Sequence, residues 1–196
     1  MNAEGIILAA GFSKRAGTHK MVLEFGGRTI IESSIEAMYD TCSRIIVVGG
    51  YKIENIFPIC SKYSKVKLIL NEDFCSGMFS SVKAGLKYIE TQRFFVTPGD
   101  YPLIKSSTYQ DIEKFEGEII VPEYKELRGH PVLIKSTFIN EILHCTTYTS
   151  LRDFINTKKV TTINVSDPGI LMDVDTISDY EKLLQFFNNS KLGDIT

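Results

Sequence analysis

Short, unbroken apolar runs rich in Ile and Val recur through the first half of the chain, at Gly5–Ala10, Arg44–Gly49, Val66–Asn71 and Arg93–Pro98. A strand with one wet face alternates apolar and polar residues, so continuous runs of this length describe strands covered on both sides. The segments between them have helical period. Thr29-Ile30-Ile31-Glu32 is a capping-box pattern, in which a hydroxyl and a carboxylate each satisfy an amide of the first turn, and Ile31, Ile35, Met38 and Tyr39 follow at helical spacing. Met78, Val82, Leu86 and Ile89 mark a second helix, and Tyr180, Leu183, Leu184 and Phe187 a third, with Thr176 as its N-cap. This alternation predicts an α/β fold: a three-layer αβα sandwich with a mostly parallel, Rossmann-like sheet and right-handed crossovers.

The second half is less regular. Apolar segments at Glu118–Pro122, Pro131–Lys135 and Val160–Val165 supply further strands, one of them antiparallel, with helices over 136–145 and 149–157. A length of 196 residues suits one domain, taken as 1–190, with a frayed tail at 191–196; the polar stretch Asn188–Thr196 has the composition of a fraying end.

With 22 Lys+Arg against 24 Asp+Glu the net charge is -2, too near neutral for the broad basic surface that binds nucleic acid without sequence preference. The four cysteines have neither disulfide-scaffold nor zinc-site spacing, which suits reduced thiols. The apolar run from Gly5 follows Glu4, with no basic segment before it, and glycine breaks it too early for a signal peptide or a membrane span. The expectation is a cytoplasmic protein bound to neither nucleic acid nor membrane.

Open α/β sheets bind ligands beyond the carboxyl ends of their strands, so the loops there carry the chemistry. Residues 8–20 hold small residues that admit a ligand close to the backbone, and Lys14, Arg15, His19 and Lys20 around them. That combination describes a polyphosphate cradle, or else a strand-ending turn with a solvated basic rim; Lys14 and His19 are taken as rim residues. Neither a Walker loop nor a GxGxxG fingerprint is present. Asp100, in Gly99-Asp100-Tyr101-Pro102, follows a strand and can hold a hard cation such as Mg²⁺ or form an Asx turn. Asp173 and Asp175 stand two apart, on one side of an extended segment, and can face the same metal or cap the last helix. Gly77-Met78-Phe79-Ser80-Ser81 opens a helix whose amides and hydroxyls can bond a ribose or base edge; the alternative is a Ser-rich start with Met78 facing the core. His130, between Gly129 and Pro131, either binds a ligand or fixes its loop.

The pattern L-A-A-G-x-S-x-R-x-G-x-x-K at residues 8–20 resembles the signature of the nucleotidyltransferases that share the sugar-nucleotide transferase and molybdenum-cofactor guanylyl/cytidylyltransferase fold. The likeness continues through the strand before Gly49-Gly50-Tyr51, Asn71-Glu72-Asp73-Phe74, the Gly77 motif, Gly99-Asp100-Tyr101-Pro102, Gly129-His130-Pro131 and Asp173-Val174-Asp175-Thr176. Within that group it is most similar to the molybdenum cofactor cytidylyltransferases. The resemblance implies catalytic roles for Arg15, Lys20 and Asp100, with Arg15 and Lys20 meeting the triphosphate. It implies a nucleotide site of Leu8, Ala9, Ala10, Gly11, Ser13, Arg15, Lys20, Asn71, Gly77, Ser80 and Ser81, an acceptor site at Gly129 and His130, and Mg²⁺ on Asp100 with Asp175 as second ligand. Ala9-Ala10-Gly11 looks like the cytidylyl version of the loop, where guanylyl-transferring relatives have Leu-Ala-Gly-Gly, so CTP is favoured over GTP. One departure is Ala16, where related sequences carry Met.

The implied reaction moves CMP from CTP to the terminal phosphate of a molybdopterin-type acceptor with release of pyrophosphate, the product passing to a molybdenum hydroxylase or its maturation factor. Two alternatives stand beside it: a transferase of the same fold acting on a sugar phosphate or other phosphorylated acceptor, and a non-catalytic nucleotide- or cofactor-binding chaperone.

Overall fold

In the computed structural model, which describes residues 3–12 and 19–193 with side chains to residue 189, the first apolar run becomes the centre of the sheet. In chain order the elements are β1 (Ala3–Ala9), β2 (Glu24–Phe25), β3 (Arg28–Thr29), α1 (Ile30–Tyr39), β4 (Cys42–Gly49), α2 (Ile53–Cys60), β5 (Val66–Leu70), α3 (Met78–Leu86), β6 (Arg93–Pro98), α4 (Ser106–Glu113), β7 (Ile119–Tyr124), β8 (Leu127–Arg128), β9 (Val132–Lys135), α5 (Ile139–His144), α6 (Leu151–Asn156), β10 (Thr161–Asn164) and α7 (Ile177–Gly193). The main sheet runs β10-β7-β9-β6-β1-β4-β5, with β8 attached to β7. Along that path β9 alone is antiparallel, to both β6 and β7. The expected α/β sandwich with one antiparallel strand is therefore the observed one, with the short β8 as an added antiparallel pairing.

All seven residues of β1 are buried, and its side chains alternate between two cores. Ile7 and Ala9 pack with Ile31, Ile35 and Met38 of α1 and with Ile56 and Tyr109 of α2 and α4. Ile6 and Leu8 pack on the opposite face with Val82 and Leu86 of α3 and Phe154 of α6. Gly85 lets α3 come close: a Cβ there would lie 2.8 Å from Ile6 Cγ2. A third, smaller core seats Leu183, Tyr180, Leu184 and Phe187 of α7 on Phe25 and Ile30, next to the β2–β3 pair.

Both sequence-read caps form. Thr29 accepts the Glu32 N–H while Glu32 accepts the Thr29 N–H, and Thr176 and Asp179 repeat the arrangement before α7. The sequence reading did not include β2–β3, α2 or α4. Helix α2 starts after Lys52 in a left-handed conformation and carries Pro58 inside it, so it shows no local start signal. Helix α4 is polar and is capped from far along the chain, since Asp167 accepts both the Lys105 N–H and the Thr108 hydroxyl. Helix α7 continues to Gly193, past Asn188, where the composition suggested fraying. No helix among the described residues is long and apolar enough to cross a membrane.

Glu4 fastens the amino end of β1. It accepts from Arg44 Nε at 2.6 Å and from the N–H groups of Glu90 and Thr91 at 2.6 and 3.0 Å. Burial alone would raise its pKa, but these donors outweigh it and hold the carboxyl below its ordinary 4.5. Its contribution is thus complete above that ordinary value and is lost as pH falls through the depressed one. Glu4→Gln is expected to cost about 2–3 kcal/mol at pH 7 and to flatten the acid limb of a stability–pH profile measured by urea unfolding; an unchanged limb would show that other groups govern acid unfolding.

Candidate active site at the carboxyl ends of β1 and β6

Successive crossovers place β4 on one side of β1 and β6 on the other, so a crevice opens where their loops diverge. Leu8 lies opposite Pro98, and the Gly99 N–H donates to the Leu8 carbonyl at 2.9 Å. The next residue, Asp100, therefore leaves the sheet beside the first loop. Its carbonyl accepts the Val174 N–H at 2.9 Å, which draws Asp173 and Asp175 alongside. One ligand oxygen from each of Asp100, Asp173 and Asp175 lies within 4.8 Å of the others.

Lys20 reaches the cluster from a short 3₁₀ turn, Lys20–Val22. Its Nζ donates to Asp100 Oδ2 at 2.5 Å and to the Val174 carbonyl at 2.8 Å, and lies 3.5 Å from Asp175 Oδ1. Among the described residues, three carboxylates face the Lys20 ammonium, which leaves a surplus of negative charge. Burial, and then the charges of Asp175 and Asp100, raise the Asp173 pKa. Asp100 Oδ1 is buried with no hydrogen-bond donor among the described residues. A crowded acidic set with an undonated buried oxygen fits a hard divalent cation, which takes oxygen ligands. Asp100 and Asp175, the two sequence-read ligands, are together, and Asp173 joins them.

Two cavities meet at this cluster. The smaller, about 350 Å³, is bordered by Ala10, Gly11, Phe12, Lys20, Gly77 and Ser81. The larger, about 770 Å³, is bordered by Tyr101, Arg128, Gly129, His130 and Arg152 among others. Leu8, Met78, Pro98, Asp100 and Asp175 border both. Ser13, Lys14, Arg15, Ala16, Gly17 and Thr18 lie outside the described residues.

The remaining sequence-read residues divide into lining and bracing positions. Ala10 lines the smaller cavity and packs on Gly50, where an added Cβ would come within 2.8 Å of the Ala10 Cβ. Ala9 faces the core. Asn71 is buried and donates to the hydroxyls of Ser80 and Ser81 at 2.8 and 3.0 Å; Asn71 and Ser80 border neither cavity and brace the start of α3. One alternative falls and one expectation changes. Met78 is 61% exposed, which removes the core-facing alternative for the Gly77 motif. His19 is buried instead of standing on a basic rim, near Asn55 and edge-on to Tyr51.

His130 borders the larger cavity with its ring 5.0 Å from that of Tyr101. Burial, helped by the charge of Arg152, pushes its pKa down to about 4, so the imidazole is neutral at pH 7. Its Nδ1 is buried without a partner among the described residues. Gly129 is required by packing, because a Cβ there would lie 2.3 Å from the Ile170 carbonyl oxygen. Sequence reasoning missed Tyr101 and Arg152 as site residues, together with the aromatic contacts of Phe12 with Tyr51 and Phe74 at 5.5 and 5.1 Å. Arg152 sits in the short α6 with no motif around it, whereas the Phe12 contacts join loops that only the parallel sheet brings together.

Fold and site together define an NTP transferase: a family model, the MobA-like NTP transferase domain, matches residues 5–162. The chain belongs to that family. It is 30% identical over 176 residues to the molybdenum cofactor cytidylyltransferase of Escherichia coli strain K12, spanning 89% of this chain and 92% of that protein. It is 29% identical over 197 residues to the nicotine blue oxidoreductase of Paenarthrobacter nicotinovorans, spanning 92% and 95%. A solved nucleotidyl transferase from Methanothermobacter thermautotroptrophicus superposes with a TM-score of 0.84 over 96% of this chain and 99% of that one at 18% identity.

The raised Asp173 pKa has a consequence for stability. The folded protein binds that proton more tightly than the unfolded chain, so the cluster costs stability as pH rises through the ordinary carboxylate range and beyond. A bound dication would offset that cost. Mg²⁺ at ten times its Kd is expected to raise the melting temperature at pH 7 by about 3–5 °C, and to leave the Asp100→Asn/Asp175→Asn double variant unmoved; an equal rise in both proteins would place the ion elsewhere.

Proposed function

We propose that the protein transfers CMP from CTP to the terminal phosphate of a molybdopterin-type acceptor and releases pyrophosphate. The observation that carries this reading is the meeting of two cavities at Asp100 and Asp175. A transferase needs its donor and its acceptor in separate pockets that share one reaction point, and the acidic cluster lies at the shared border. The identity to a cytidylyltransferase over nearly the whole chain supports the choice of reaction. Ala10 on the smaller cavity supports CTP as the donor.

In this reading the smaller cavity takes the nucleotide. The backbone of Ala10 and Gly11, the amides at the start of α3 and the Ser81 hydroxyl bind it, and Arg15 engages the triphosphate. Asp100 and Asp175 would hold Mg²⁺, which neutralises phosphate charge and orients the α-phosphate when bound. Lys20, within reach of both carboxylates, holds them in place and follows charge that develops on the leaving group. The larger cavity takes the acceptor, with neutral His130 offering a hydrogen bond to a polar group on it and Arg128 and Arg152 favouring anionic character. A phosphate nucleophile is already ionised near neutral pH, so the step depends on alignment and charge and needs no strong base. The product passes to a molybdenum hydroxylase or its maturation factor, and the reaction takes place in the cytoplasm.

Incubation with CTP, Mg²⁺ and molybdenum cofactor, followed by pyrophosphate detection, tests the reading. Turnover only with a sugar phosphate would reassign the acceptor, and nucleotide binding without turnover would make the protein a carrier. Asp100→Ala is expected to lower kcat by at least 10²–10³, roughly the effect of losing one charge-stabilising group, with the far-UV circular dichroism unchanged; full activity would remove Asp100 from the site. Ala10→Gly is expected to cut CTP-over-GTP discrimination by about tenfold in kcat/KM. A preference that stays put would mean the base is read elsewhere.

A further inference from the structure

Five of the described residues border both cavities: the carboxylates Asp100 and Asp175, and the apolar Leu8, Pro98 and Met78. Leu8, one residue before the end of β1, and Pro98, the last residue of β6, are buried. Met78 is different. It is 61% exposed and belongs to none of the hydrophobic cores, although it opens helix α3.

The backbone under this exposed side chain is held firmly. Gly77 has φ +97°, a conformation that a side chain would strain. The Ser80 hydroxyl is within 2.8 Å of the carbonyls of Gly77 and Asp73, and Asn71 donates to Ser80 and Ser81 from below. A buried amide and two hydroxyls thus fix a turn whose prominent product is one apolar side chain at the border of the two cavities. Packing does not account for that, since the side chain gains little burial there.

We propose that Met78 is a specificity-determining residue that keeps water from the α-phosphorus, so that the acceptor receives the nucleotidyl group. The inference rests on the nucleotidyl-transfer reading above. In transfer, an oxygen of the acceptor phosphate bonds to the α-phosphorus as the bond from phosphorus to the bridging oxygen breaks, and the electron pair leaves with pyrophosphate. In hydrolysis a water oxygen forms the new bond, the same bridging bond breaks, and a proton goes to solvent, giving CMP and pyrophosphate. The bond broken is common to both, so the outcome depends on which nucleophile stands in line. Water is far more abundant than any acceptor, and an apolar wall at the meeting point disfavours an ordered water there. An unbranched thioether side chain can fold against a bulky acceptor without rejecting it.

The test compares wild type with Met78→Ala, Met78→Gln and Met78→Leu in CTP and Mg²⁺, with and without saturating molybdenum cofactor, and quantifies CMP, the cytidylylated product and pyrophosphate. Met78→Ala is expected to raise the ratio of CMP to transfer product by about tenfold or more, as the loss of an apolar contact in a discriminating pocket does. Met78→Gln, similar in size but polar, should raise it as well, and Met78→Leu should keep the wild-type ratio. Because residue 78 lies outside the cores, melting curves of the variants should overlay that of wild type. A ratio unchanged in both Met78→Ala and Met78→Gln would overturn the role of Met78 while leaving the transferase reading intact. Wild type that releases no pyrophosphate under any of these conditions would overturn the transferase reading and this inference together.

Discussion

The contact between Lys20 and the carboxylates of Asp100 and Asp175 joins three parts of the chain that are remote in sequence. Lys20 lies just beyond the loop after β1, Asp100 follows β6, and Asp175 precedes the last helix. Unpaired, two carboxylates packed beside a third would repel, and the Val174 N–H bond to the Asp100 carbonyl would have to hold them against that repulsion. The lysine offsets part of the charge, and a divalent ion suits what is left. Each of these groups rises from the end of a strand or from a hydrogen-bonded turn, so the cluster inherits the rigidity of the central sheet.

That cluster also explains why two cavities are useful. The cavities of about 350 Å³ and about 770 Å³ have five of the described residues in common, and two of these are the carboxylates Asp100 and Asp175. The larger pocket takes strand residues such as Val96, Val121 and Val132 for part of its lining and loops for the rest. It depends on Gly129 approaching the Ile170 carbonyl, on Asp167 tying the Gly169 turn to the start of α4, and on His130 lying against Tyr101. These are long-range contacts between loops, the parts of such a fold on which binding preferences vary.

Much of this was legible in the sequence, and what was not has a physical reason. Continuous apolar runs announced the parallel strands because burial on both faces leaves no room for alternation, and the capping boxes at Thr29 and Thr176 were local enough to read directly. Asp100 was legible because a carboxylate just after a strand of an open α/β sheet stands where ligands bind, and Asp175 through the family resemblance of the motif around it. Helices α2 and α4 were not, since one contains Pro58 and the other takes its cap from Asp167, some 60 residues away. Arg152 was missed for the same reason, since its place in the site follows from tertiary packing, and Tyr101 because its contact with His130 joins two motifs about 30 residues apart. His19 came out on the other side of the surface, because a histidine among cations reads as rim, and of the two readings open for the Gly77 motif the exposure of Met78 removes the core-facing one.

The central claim is that one acidic cluster serves both cavities. Crystals grown with Mn²⁺ and a non-hydrolysable CTP analogue, with anomalous data collected near the manganese edge, test it most directly. The account predicts a peak within bonding distance of Asp100 and Asp175, with the nucleotide in the cavity beside Ala10 and its α-phosphate facing the larger pocket. Manganese bound away from both aspartates, or a nucleotide seated in the larger pocket, would contradict it.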